Sequence, residues 1–281
     1  MSTDQDLARV PSPEALPSGG RLRRLAAQVT SEVTRYRRLP EYFIGVVVLP
    51  VILFAMFGLP NAGTTLPGGT TVVALLFVSF SCYGVVSQSL FSFGAELAAE
   101  REAGWLRRLR ATPMPMSVYF AGKLAVNLVF TLLIAVATAL LASLAGDADF
   151  DPARLAATVG VLLLGTVVFS PMGAAIAYWA RPRAASTIVN LVFLPLSFLS
   201  GFFFPPSQLP DVLQGVAPWL PTFHFGQLAW RAMAPADDVR RFGAELSGST
   251  WLHVAVVLVW GLVCTAVTVQ GYRRELQRER S

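Results

Sequence analysis

Apolar residues gather along this chain into six runs, near positions 42–59, 71–94, 117–145, 155–180, 184–204 and 251–272, with short polar interruptions between them. An α-helix needs roughly 20 apolar residues to cross a hydrocarbon core of about 30 Å, and each run is close to that length. The pattern predicts an all-α polytopic membrane protein with six transmembrane helices. Pro50, Pro171 and Pro195 fall inside the runs and predict local kinks whose freed backbone groups neighbouring helices satisfy.

The polar remainder divides the chain further. Residues 1–20 are rich in Pro, Ser and Gly without periodicity, which predicts a disordered tail. Over 21–40, Leu22, Leu25, Ala26, Val29, Val33 and Tyr36 recur at helical spacing among arginines, the profile of an amphipathic helix lying in the membrane interface. A helix packed on a soluble partner is the alternative. The six-span domain then covers 41–272 and a short tail 273–281. The first apolar run begins after about 40 mostly polar positions, too late for a cleaved signal peptide, so it is read as a span.

Composition agrees: 54% of residues are hydrophobic and 14% charged, against roughly 25% charged in soluble domains. The net charge of +5 raises the possibility of a nucleic-acid partner, but no basic stripe interleaved with aromatics exists to bind one. The basic residues instead flank the apolar runs. Seventeen arginines lie in segments on one side and four on the other. By the positive-inside rule both termini are cytoplasmic, in a multi-pass protein of the cell membrane. Cys82 and Cys264 sit within apolar runs, without metal-ligand spacing, and read as small buried hydrophobes.

One cytoplasmic interruption, EREAGWLRRLRATP from Glu100 to Pro113, is densely charged. Glu96, Glu100 and Glu102 precede Arg107, Arg108 and Arg110, the order a helix dipole favours, which predicts a helix over about 96–110 with an apolar edge of Trp105, Leu106 and Leu109. Thr112-Pro113 ends it. Gly104, costly in a helix interior, suggests close approach by another backbone. Two readings stand: an interfacial connector that holds topology, or a docking surface through which a cytosolic partner moves the spans on either side.

The residues Glu100-Arg101-Glu102-Ala103-Gly104, followed by Leu106, Leu109 and Ala111-Thr112-Pro113, resemble the signature of ABC-2 type transporter permeases, the membrane subunits of daunorubicin-resistance-like exporters. A second stretch, from Pro195 through Phe198, Ser200, Gly201 and Pro205 to Pro210, Pro218 and Pro221, is similar to the family's passage from span five into external re-entrant helices. Trp105 departs from the small polar residue common after the glycine. The resemblance implies that Glu100, Arg101, Glu102, Gly104, Leu106, Arg107, Arg108 and Leu109 couple to an ABC ATPase. ATP and Mg would then sit on that nucleotide-binding subunit, with none on this chain, and a second permease copy or paralogue would complete the machine within the lipid bilayer. It further implies export of an amphipathic or lipophilic compound and makes Phe223–Met233, within the segment 205–250 that the arginine bias puts outside, a re-entrant helix, an ordinary surface helix being the alternative.

The residues constrain the power source independently. The only lysine, Lys123, precedes Leu124, so no phosphate-binding GxxxxGK[ST] loop exists. The six runs contain no Asp or Glu to serve an ion-driven carrier. Lys123 is expected to snorkel to the cytoplasmic interface, His253 to be interfacial and His224 to lie in an external loop. Asp147, Asp149, Asp151, Asp237 and Asp238 read as solvated loop acids, a hard-cation site being the alternative. No nucleophile and base stand out, so a transport subunit is favoured over an enzyme. Polar groups within the runs, Tyr83, Ser87, Gln88, Asn190 and Ser197, are candidates for the substrate path, interhelical hydrogen bonding being the equal alternative. A carrier working without an ATPase, or a polysaccharide or lipid permease, remains a rival reading.

Overall fold

The computed structural model describes residues 44–244 and 248–278, with Thr30 alone before them. The interfacial helix expected at 21–40 lies outside the described residues. Among those described, the fold is helical, broken only by turns, loops and a single bridge between Thr65 and Thr71.

Among the described residues, six helices are long and apolar enough to cross a membrane: α1 (Ile44–Asn61), α2 (Val72–Glu102), α4 (Met116–Ala145), α5 (Pro152–Trp179), α6 (Pro182–Leu199) and α10 (Thr250–Arg278). The short α3 (Trp105–Arg110) lies between α2 and α4. After α6 come α7 (Asp211–Val216), α8 (Pro221–Met233) and α9 (Ala236–Phe242). The six predicted spans are all present. The fifth is shorter than expected, because Gly201 takes φ +83° and turns the chain two residues after Leu199.

Burial ranks the helices. In α2, 94% of the most apolar stretch is buried, against 11% to 44% in the other five, so α2 is the axis of the bundle. Its sequence suits that place, with small residues (Ser79, Ser81, Gly84, Ser87, Ser89, Ser92, Gly94) that let neighbours approach. A Cβ on Gly94 would fall 2.7 Å from Val189 Cγ2 and 3.4 Å from the Gly173 carbonyl, and one on Gly173 would meet the Ser89 carbonyl at 2.7 Å. Here the backbones of α2 and α5 nearly touch. The helix widens to a π-helix over Phe91–Glu96 at the same level, an irregularity that often accompanies function.

At the opposite end, α8 is buried on all sides between α2, α5 and α10. The Trp230 indole N–H reaches the Leu75 carbonyl at 3.3 Å and Ser79 Oγ at 3.2 Å, while the Phe225 ring fills the space beside Gly165. His224, expected in a loop, and His253, expected at an interface, are both enclosed here, their Nδ1 atoms 2.6 Å apart. Asp238 is likewise buried rather than solvated. Its carboxylate accepts the N–H groups of Gly68 at 2.8 Å and Thr70 at 3.1 Å, tying α9 to the loop between α1 and α2.

Candidate functional site

The charged segment differs from its expected form. It is not one helix over 96–110. α2 runs straight on to Glu102, and α3 starts anew at Trp105 after Gly104 adopts φ +69°. Left-handed backbone ends a helix and suits glycine. No atom lies within 4 Å of where a Cβ would stand, so Gly104 serves the reversal and not a close backbone approach. The segment is thus a rigid continuation of the central span followed by a short helix folded back across it.

One face of this elbow is bonded into the bundle. Glu100, only 7% exposed, takes the Tyr119 hydroxyl and the Lys123 ammonium, the latter at 3.2 Å. Glu96 approaches the same Nζ at 3.5 Å. Lys123 therefore does not snorkel. Being wholly excluded from solvent, it is held among these carboxylates at the root of α4. The run 71–94 itself holds no acid, but α2 continues as helix to Glu102 and carries Glu96 and Glu100 at its end.

Arg101 reaches two more helices. It donates to the Ala177 carbonyl at the end of α5, lies 2.8 Å from Glu275 Oε2 on α10, and stands 4.6 Å over the Tyr178 ring. Arg110 also faces Glu275, at 3.6 Å. Glu102 pairs with Arg183 at the start of α6, at 2.9 Å. Through three consecutive residues, Glu100, Arg101 and Glu102, the elbow is bonded to α4, α5, α6 and α10. Leu106, 1% exposed, seals it by packing with Leu97, Tyr119 and Ala177, with Leu109 partly buried against the same cluster.

The other face is open. Glu102, Ala103, Arg107, Arg108 and Ala111 are exposed and, with Gly104, line a shallow depression of about 610 Å³. Trp105, expected on the apolar edge with Leu106 and Leu109, is instead 46% exposed, with the Arg108 guanidinium 5.9 Å from its ring. The eight residues predicted for coupling therefore divide: Glu100 and Leu106 point into the bundle, Arg101, Gly104 and Leu109 are half-buried, and Glu102, Arg107 and Arg108 point out.

Residues 24–232 match the ABC-2 type transporter family. This chain belongs to that family. As an ABC-2 family member it is a multi-pass membrane protein, the membrane component of an ABC transporter and a transport subunit rather than an enzyme; such permeases normally work with an ATPase partner. A relative, "Putative transport permease YvfS" of Bacillus subtilis (strain 168), is 24% identical over 236 residues, which cover 84% of this chain and 91% of YvfS.

The five candidates for a substrate path in this ABC-2 protein are scattered. Tyr83 packs its ring 5.0 Å from Phe193 and 5.3 Å from Phe203. Ser87 is buried on α2, and Ser197 is buried with its hydroxyl on the Phe193 carbonyl at 2.9 Å. Gln88 is fully enclosed, its Nε2 donating to the Asn127 carbonyl at 2.7 Å and Thr131 Oγ1 at 2.6 Å. Only Asn190 is exposed, on a face of α6 shared with Leu191, Leu194 and Phe198. Sequence reasoning missed Tyr119, Ala177, Arg183 and Glu275. The glutamate and the arginine carried a visible signal, as charges at the ends of apolar runs; the other two carried none.

Proposed function

We propose that this permease is driven by a separate ABC ATPase docking on the exposed face of the α2–α3 elbow, and that it exports an amphipathic or lipophilic compound across the cell membrane. The elbow and both termini are then cytoplasmic, as the arginine bias suggests. ATP and Mg belong to the ATPase, which contacts Glu102, Trp105, Arg107 and Arg108. Glu100, Arg101 and Leu106 pass the displacement inward.

The supporting observation is the two-sided construction of the elbow. Its outer face offers charges of both signs, with Glu102 pairing to Arg183 of α6, and its inner face is bonded to the ends of α4, α5 and α10. A push on the outer face is therefore felt by α2, α4, α5, α6 and α10 together, because packed helices move as rigid bodies. A mere connector between two spans needs no such bonds.

A second permease would face the exposed side of α6, and the substrate would pass between the two copies alongside Asn190. The other four path candidates would then act by shaping the helices and not by touching the substrate. The daunorubicin-like resemblance favours a drug or lipid-like cargo.

The test is co-purification with ABC ATPases of the same cell, comparing wild type with the double variant Glu102→Arg, Arg108→Glu. The wild type should retain the ATPase and stimulate its turnover, and the variant should lose at least one of the two. Absence of any associated ATPase, together with transport by the permease alone in liposomes, would overturn the reading in favour of an autonomous carrier.

A further inference from the structure

A cavity of about 520 Å³ opens between α4, α5 and α10 at the elbow end of the bundle. That volume falls in the roughly 300–1,000 Å³ range of small-molecule sites. Its wall is almost wholly hydrocarbon, with Phe93, Phe120, Leu124, Val167 and Val269 among the lining residues. On α5 it extends from Val167 to Tyr178, which at 1.5 Å per residue is about 16 Å. One leaflet of a hydrocarbon core about 30 Å thick has nearly that depth.

The mouth has different chemistry. Tyr178 and Tyr272 close it, with their rings 5.9 Å apart. Arg101 lies over Tyr178, and Arg110 stands behind Glu275. Arg273 and Arg274 lie exposed on the next positions of α10. Among the described residues, the buried Tyr178 hydroxyl finds no hydrogen-bond partner. A buried hydroxyl without a partner costs about 1–3 kcal/mol, so a ligand oxygen here would relieve a standing penalty.

We propose that this cavity holds one acyl chain of an anionic phospholipid from the adjoining leaflet, with the phosphate region at Tyr178 and the arginines of the mouth. The depth of the slot selects an acyl chain, and the excess of arginine at the rim selects an anionic headgroup. The site lies beside the Arg101–Glu275 pair, so the lipid borders the inner face of the elbow. It stands away from the exposed face of α6 and is a resident lipid site rather than the transport path.

The experiment is native mass spectrometry of the full chain released from nanodiscs of equal phosphatidylglycerol and phosphatidylcholine. Wild type, Ala121→Trp, Thr265→Trp and Tyr178→Phe are compared. The two tryptophans fill the cavity from opposite walls, at positions whose residues are exposed. Wild type should retain one phosphatidylglycerol in preference to phosphatidylcholine. Each tryptophan variant should lose that lipid by at least tenfold, and Tyr178→Phe should narrow the preference several-fold while remaining folded. The proposal is overturned by equal retention of both lipids, by undiminished phosphatidylglycerol in the tryptophan variants, or by protection of the cavity by residues 1–43 of the chain itself. Exchange of the bound lipid for a transported compound during turnover would also overturn it, by making the cavity part of the path.

Discussion

The Lys123 ammonium lies 3.2 Å from the Glu100 carboxylate, with the lysine excluded from solvent and the glutamate 7% exposed. Two charges this deep cost several kcal/mol each to desolvate, and their attraction repays that only with good geometry and further hydrogen bonds. Tyr119 supplies one such bond and Glu96 a second carboxylate. The cluster fixes α4 against α2 just where α2 leaves the bundle.

Removing the lysine should take from the buried Glu100 carboxylate and the half-buried Glu96 the cation they share. Lys123→Met is expected to destabilise by about 3–5 kcal/mol, as is usual when one partner of a buried pair is deleted. Adding Glu100→Gln to it should recover a substantial part. Thermal unfolding in detergent of the two singles and the double reads the coupling directly, and additive effects would refute it.

Gly104→Ala should cost about 1–2 kcal/mol, the usual penalty of a left-handed alanine, with no steric component because the Cβ meets open space. Gly104→Asn, which tolerates that region better, should lose less. Equal unfolding temperatures for Gly104→Ala and wild type would contradict the reversal.

Asp238 provides a pH-dependent tether. Burial raises its pKa, but hydrogen bonds from the Thr70 side chain and the N–H groups of Gly68 and Thr70, with the Arg241 charge, outweigh burial and hold the carboxyl below its ordinary value of 3.8. A depressed carboxylate stabilises the fold above the unfolded value and loses that contribution as pH falls through the folded one. Exchange protection of residues 66–72 should therefore persist at neutral pH and decline only below about pH 4. Asp238→Asn should weaken it at neutral pH and flatten the acid dependence.

Gln88 and Asn190, both polar residues within apolar runs, should behave oppositely. Gln88→Leu forfeits two buried hydrogen bonds and should cost about 1–3 kcal/mol of stability. Asn190→Leu loses only a bond to the Ser186 carbonyl at an exposed site and should leave stability within about 0.5 kcal/mol while altering which compounds are transported. Melting curves paired with a transport panel separate the two.

Spans were legible because a helix in hydrocarbon must be apolar for about 20 residues whatever its neighbours are. The charged segment after the second span was legible too, from Glu100 to Pro113. Its break was not, since one glycine is consistent with both a helix interior and a left-handed cap, and only the backbone turn at Gly104 decides between them. Lys123 was misread because a lone cation near a span end ordinarily snorkels; its carboxylate partners lie 23 and 27 positions earlier in the chain. The His224–His253 contact and the bonds from Arg101 to Ala177 and Glu275 bridge similar or greater separations, and no local pattern encodes them.

The most direct test of the elbow as the docking face is cross-linking from single cysteines, since Cys82 and Cys264 are free and buried and give little background. Arg108→Cys lies on the open face of the elbow, and Asp211→Cys is exposed at the opposite end of the bundle. With a short thiol-to-amine cross-linker in membranes, Arg108→Cys should join the ATPase in a yield that changes with nucleotide, and Asp211→Cys should not. An ATPase that remains bound yet never cross-links to position 108, or links equally well to 211, would contradict the account.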